Sequence, residues 1–171
     1  SEEEVARREV APYAEMIGWG QSADGYNVAI SHPEGRGLKE AMVRALRDAE
    51  LKPEAVNYVN AHAPSTPIGD ASELKALKTV FPEPMHVKVS STKALTGHGL
   101  SLSSIMEAGF CCISLKEGFL PGSANIVELD PETGHLDVIL KSEDTQAEVT
   151  LSNSSGFGGA NVSVVFRKCQ I

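Results

Sequence analysis

The sequence predicts a layered α/β domain, and three observations carry that expectation. Short apolar runs that read as strands alternate with stretches whose apolar residues recur at helical spacing. Near the C-terminal end, three segments alternate in period two, the last two of them around a tight Gly-rich turn. Two histidines and a lysine stand at turns where a strand pattern gives way to a helical one, which is where α/β sheets deliver side chains to a crevice.

Taken in order, SEEEVARREV reads as a charged helical segment, and a strand pattern runs through APYAEMIGWGQSADG, closed by Asp24-Gly25. The polar loop ISHPEGRG leads to an amphipathic helix near residues 37–50, where Leu38, Met42, Ala45 and Leu46 recur between charges. Lys52-Pro53 breaks it, and YVNA follows as a short buried strand. Asp70 reads as the cap of the next helix, ASELKALKTVF, with Glu73 three residues on at near capping-box spacing. Pro82 and Pro84 end that helix, and HVKVSS is a third strand. The segment from Leu100 to Lys116 is apolar on nearly every face, which predicts a helix surrounded by protein. LDVILK, EVTLSNSSG and ANVSVVFRK are the closing strands, the last two a hairpin. Strands and helices in this order build one layered domain.

Composition narrows the function. The 171 residues suffice for one domain with a substantial core. A hydrophobic content of 42% and a mean hydropathy of −0.12 describe an ordinary globular protein. A net charge of −8 and a pI near 5.1 argue against a nucleic-acid or anionic-membrane surface. No apolar run reaches the roughly eighteen residues of a membrane span, and the first residues are the opposite of a signal peptide, so no membrane insertion is expected. Three cysteines make no disulfide framework. Cys111 and Cys112 sit inside the apolar helix and read as core, with reduced thiols in a cytoplasmic protein.

The chemistry-bearing residues cluster at strand ends. YVNA ends at His62, HVKVSST ends just before Lys93, and the long apolar helix starts after His98. Two neutral imidazoles converging in a crevice can donate hydrogen bonds to an oxygen that gains negative charge. Glu107, a charge in an otherwise apolar helix, needs a partner if buried, and Lys93 can supply one. Taken alone, Asp70 is a helix cap and GFGG a hairpin turn whose glycines supply positive φ. No phosphate-loop or dinucleotide spacing occurs, and nothing at ligand spacing joins the two histidines, so neither a cofactor nor a metal is expected.

Three motifs in order, NAHAPSTPIGD, STKALTGH and NSSGFGGAN, resemble the NAHGTSTPxGD, STKxxTGH and NSFGFGGTN of the elongating β-ketoacyl-acyl carrier protein synthases. The resemblance is to their C-terminal half and covers essentially all of residues 1–171. It implies one half of a thiolase-like layered fold: a mixed sheet with packed helices and a C-terminal hairpin. In that family a cysteine takes an acyl group, which then condenses with malonyl-carrier protein as carbon dioxide leaves. The nucleophilic cysteine belongs to the N-terminal half, at a helix start that activates the thiol, so this chain by itself is expected to be inactive. By the same resemblance His62 and His98 would stabilise the enolate, Lys93 would orient and polarise them, and Glu107 would pair with Lys93. Asp70 and Glu73 would hold the lysine's surroundings. The backbone N–H of Phe157 would serve the oxyanion hole while its ring gates the acyl pocket. Ser65 and Thr66 would contact the phosphopantetheine arm, which the substrate carrier protein brings with it. The implied partners are an acyl carrier protein, the N-terminal half and, in the complete enzyme, a second copy in a homodimer.

The chain departs from the pattern in three places. Ala63-Pro64 replaces Gly-Thr, Ser155 replaces a phenylalanine, and LSLSSIM stands where small residues are usual. Other readings are open but less well supported. A non-catalytic partner subunit of the chain-length-factor kind often loses part of the His/Lys set, which is complete here. A thiolase would carry a Cys-x-Gly loop in this half, and an initiating synthase a His-Asn pair.

Overall fold

The computed structural model describes residues 2–169. A helix, α1 (Glu2–Arg8), precedes the first strand, β1 (Glu15–Ala23). Then come α2 (Arg36–Asp48), β2 (Tyr58–Asn60), α3 (Pro67–Val80) and β3 (Lys88–Ser90). A single turn, α4 (Lys93–Thr96), leads to α5 (Ser103–Glu117). Three two-residue strands follow, β4 (Phe119–Leu120), β5 (Asp137–Val138) and β6 (Glu143–Asp144). The hairpin β7 (Val149–Gly156) and β8 (Ala160–Arg167) closes the chain.

The main sheet has the order β1-β8-β7-β2-β3-β5, and β4 pairs with β6 in a separate ribbon. β7, β2, β3 and β5 run parallel, whereas β8 is antiparallel to both of its neighbours. Side chains alternate across the strands. Val59, Val89, Leu151 and Val165 pack with Met42, Leu77 and Phe81 beneath α2 and α3. Tyr58 and Phe166 pack with Cys111, Leu115 and Leu120 beneath α5. The sheet is thus covered on both faces, as its parallel strands require. Burial pushes the Cys111 thiol up to about 12, so it behaves as core packing.

Two sequence expectations need correcting. α3 starts at Pro67 with Thr66 as its N-cap, so Asp70 lies in the first turn and is not the cap. Proline fits the first helical position because its missing N–H would go unused there. The second concerns α5. Its inner face is buried through Glu107, Cys111 and Leu115, but Ile105 is 67% exposed, as is Leu100 (68%) in the turn just before the helix. A sheet covers only one side of a helix, so among the described residues the outer face stays open.

β1 approaches α2 closely because glycine faces alanine. A Cβ on Gly20 would stand 2.2 Å from the backbone oxygen of Ala41 and 2.5 Å from the nitrogen of Ala45. Gly20→Ala must push strand from helix, an overpacking cost of about 1–3 kcal/mol. Urea unfolding is expected to show a lower midpoint with an unchanged slope.

Candidate active site

β2, β3 and β7 are parallel, so their C-terminal ends share one edge of the sheet. His62 lies just past β2, Lys93 and His98 past β3, and Phe157 at the turn after β7. The His62 and His98 ring centroids are 5.3 Å apart, with planes at 80°. The two rings line a cleft of about 570 Å³ together with Thr66, Glu73, Leu100 and Phe157.

Glu73 fixes the peptide that carries His62. The backbone N–H of His62 donates to its Oε1 at 3.0 Å, and that of Ala63 donates to Oε2 at 2.7 Å. The Asn153 side-chain amide donates to Oε1 at 3.2 Å, and Ser163 Oγ in turn donates to Asn153 Oδ1 at 2.8 Å. Burial pushes the Glu73 carboxyl up, and these N–H donors pull against it. Glu73 therefore holds His62, where the family resemblance pointed to the lysine's surroundings. Lys93 reaches it only as a field.

The imidazoles differ in their support. Burial, reinforced by the nearby Lys93 ammonium and by His98, pushes His62 down to about 3, so its ring is neutral. Its Nδ1 is buried, with no partner among the described residues. At His98, the Leu100 N–H donates to Nδ1 at 3.1 Å, and Ser103 Oγ lies 3.0 Å from the same nitrogen. Nδ1 must then carry a lone pair, which leaves the proton on Nε2.

Lys93 Nζ donates to Glu107 Oε1 from the far side of the loop, and both side chains are buried. Burial raises the Glu107 carboxyl, and the lysine opposes this. Neither residue lines the cleft. Asp70 Oδ1 accepts from the Thr66 N–H at 3.2 Å, so this carboxylate shapes the start of α3 and does not reach the histidines. The Thr66 hydroxyl makes no capping bond, and Thr66 lies where this cleft meets a second cavity. Ser65 lines a neighbouring cavity of about 830 Å³ under α3 and is absent from the histidine cleft. Phe157 is 79% exposed at the rim.

Sequence reasoning missed the supports of that rim. Asp24 accepts from the Asn161 side-chain amide and from the His32 N–H, each at 2.8 Å, and its own N–H donates to the Gly159 carbonyl. The Gly158 N–H donates to the Val28 carbonyl at 2.7 Å. Asp24 thereby ties the loop after β1 to the GFGG turn. The available signals were Asn161 and Asn153, both within the motif NSSGFGGAN.

Residues 13–127 match the β-ketoacyl synthase C-terminal domain. The chain belongs to this family. It is 42% identical over 158 residues to 3-oxoacyl-[acyl-carrier-protein] synthase 2 of Staphylococcus aureus (strain COL), covering 91% of this chain and 38% of that protein. It is 40% identical over 159 residues to the protein of the same name from Synechocystis sp., covering 92% of this chain and 38% of that one. Among solved structures, a β-ketoacyl synthase from Burkholderia phymatum STM815 superposes with a TM-score of 0.90 at 33% identity, over 98% of this chain and 40% of that one. A type II PKS ketosynthase bound to a hexaketide, in complex with its acyl-carrier protein, gives 0.93 at 27% identity, over 99% of this chain and 42% of that one. The chain thus has the thiolase-like ketosynthase fold and spans about two fifths of the length of these relatives.

The neutrality of His62 has a measurable sign. Its folded value, about 3, lies below the ordinary 6.5, so the unfolded chain binds the extra proton first. The resulting stability is complete above pH 6.5 and is lost as pH falls toward 3. In a ¹⁵N titration from pH 7 to pH 5 the His62 ring nitrogens are expected to stay at neutral-imidazole shifts. A midpoint near 6 would contradict the burial described above.

Proposed function

We propose that this segment supplies the decarboxylating part of the active site of a β-ketoacyl-acyl carrier protein synthase, in fatty-acid or polyketide-type elongation. The observation that carries the reading is the pair of close, edge-to-face histidines, with His98 protonated on Nε2 and His62 neutral. The substrate is a malonyl thioester on the phosphopantetheine arm of an acyl carrier protein, with the arm passing the hydroxyl of Thr66. As the bond to the carboxylate breaks, carbon dioxide leaves and its electron pair passes to the α-carbon and the thioester oxygen. An N–H donor aimed at that oxygen bonds more strongly as the charge develops, which lowers the barrier to this step. The carbanion then attacks an acyl thioester on a cysteine supplied by the N-terminal half, and the cysteine thiolate leaves. Lys93 and Glu107 hold the loop and polarise the pair from behind. The Phe157 peptide N–H serves the oxyanion of the acyl group, and its exposed ring gates the acyl pocket.

The complete protein works as a homodimer in the cytoplasm, a setting supported by three cysteines that are all unpaired in the structure. The non-catalytic, chain-length-factor reading draws on similarity to a ketosynthase solved with its chain length factor, at 32% identity. An intact His62, Lys93 and His98 set favours the enzyme.

In the full protein, His98→Ala is expected to slow malonyl decarboxylation about a hundred- to a thousandfold, the usual loss for one oxyanion donor, while acyl transfer to the cysteine persists. Decarboxylation at the parental rate would remove His98 from the mechanism. The open outer face of α5 at Ile105, together with Leu100 and Leu102 in the turn just before the helix, is proposed to be covered by the N-terminal half. Produced alone, residues 1–171 are therefore expected to bind an apolar dye and to self-associate in light scattering as concentration rises. A dye-free monomer would show that this face needs no cover.

A further inference from the structure

The two histidines of the cleft are held differently, and the difference traces to one residue. Twice in this chain a loop histidine receives at Nδ1 the backbone N–H of the residue two positions on. Leu100 N–H donates to His98 and Glu34 N–H donates to His32, both at 3.1 Å. Each such bond requires a lone pair on Nδ1 and so confines the proton to Nε2. Two positions after His62 stands Pro64, which has no N–H to give. The N–H groups of His62 and Ala63 are both taken by Glu73. The His62 Nδ1 is accordingly buried without a partner among the described residues.

Building on the decarboxylating role given to this cleft, we propose that Pro64 is a positioning residue that frees the tautomer of His62. The His62 ring interconverts between its Nε2–H and Nδ1–H forms, while His98 is fixed as a donor. His98 then offers a constant hydrogen bond to the substrate oxygen. His62 donates to a carbonyl or enolate oxygen in one form and accepts from an enol or acid hydroxyl in the other. The proton only changes nitrogen and no charge is created, in keeping with the dry setting of the ring. The pair therefore suits a thioester whose reacting end changes from carbonyl to enol.

Long-range ¹H–¹⁵N correlation spectra of the full protein, labelled on histidine and recorded at neutral pH, test this directly. In the parent, His98 is expected to show the pure Nε2–H pattern and His62 a resolved contribution from Nδ1–H. Pro64→Ala and Pro64→Thr restore an N–H and should move His62 toward the His98 pattern. The tautomer ratio should shift about two- to tenfold, the scale of one net hydrogen bond. A parent His62 that is already pure Nε2–H overturns the proposal, and that spectrum needs no variant to fold. Natively folded variants whose His62 pattern does not move overturn the assignment to Pro64. Malonyl decarboxylation by the same variants separates this inference from the functional one. A two- to tenfold fall in kcat with little change in KM supports both. A tautomer shift in a protein whose decarboxylation ignores His62→Ala supports the tautomer role and overturns the function proposed for the cleft.

Discussion

The buried carboxylate of Glu73 is the contact on which the candidate site depends. It projects from α3, takes the peptide N–H groups of His62 and Ala63 just beyond β2, and takes the side-chain amide of Asn153 from β7. One side chain thus joins a helix to two neighbouring strand ends and sets the direction in which His62 leaves the sheet. Each hydrogen bond to a charged group contributes about 1.5–3 kcal/mol net, and a buried carboxylate stripped of such donors costs several kcal/mol. All three protein groups that bond to it are N–H donors, so they favour the ionised form against the burial that opposes it.

In the decarboxylating role proposed for the cleft, the remaining residues keep charge behind the reacting groups. The Lys93–Glu107 pair is almost wholly buried and nearly neutral as a unit. Such a pair is weak evidence for stability, since desolvation offsets its attraction. Its consequence here is electrostatic: the ammonium lies close enough to help hold His62 unprotonated. A charged imidazole would bind a malonyl carboxylate tightly in the ground state. A neutral donor strengthens only as the enolate forms, which is the difference that accelerates a reaction.

Much of this was legible in the sequence, and the misses share a cause. Helical spacing located α2, and period two located the β7–β8 hairpin, because both are long enough to show a period. β5 falls within the predicted strand LDVILK, whereas the two-residue strands β4 and β6 are too short to show a period. His62, Lys93 and His98 were legible from their places after apolar runs and from their motifs. The contacts that hold them were less so, because they join distant segments: Asn153 meets Glu73 across 80 positions, and Asn161 meets Asp24 across 137. Asp70 looked like a cap because its residue type suits one, whereas Pro67 had already fixed the helix start. The all-round apolar pattern of α5 was read correctly as composition, yet only one of its faces is covered among the described residues.

In the proposed mechanism the thioester oxygen of a malonyl substrate meets the fixed Nε2–H of His98. A crystal structure of the complete protein with a malonyl-pantetheine amide, in which the scissile sulfur is replaced by nitrogen, would test it most directly. The amide carbonyl oxygen is expected at hydrogen-bond distance from His98 Nε2, about 2.7–3.2 Å, with the pantetheine arm running past Thr66. A carbonyl seated away from both imidazoles, or an arm threaded into the cavity beside Ser65, would contradict it.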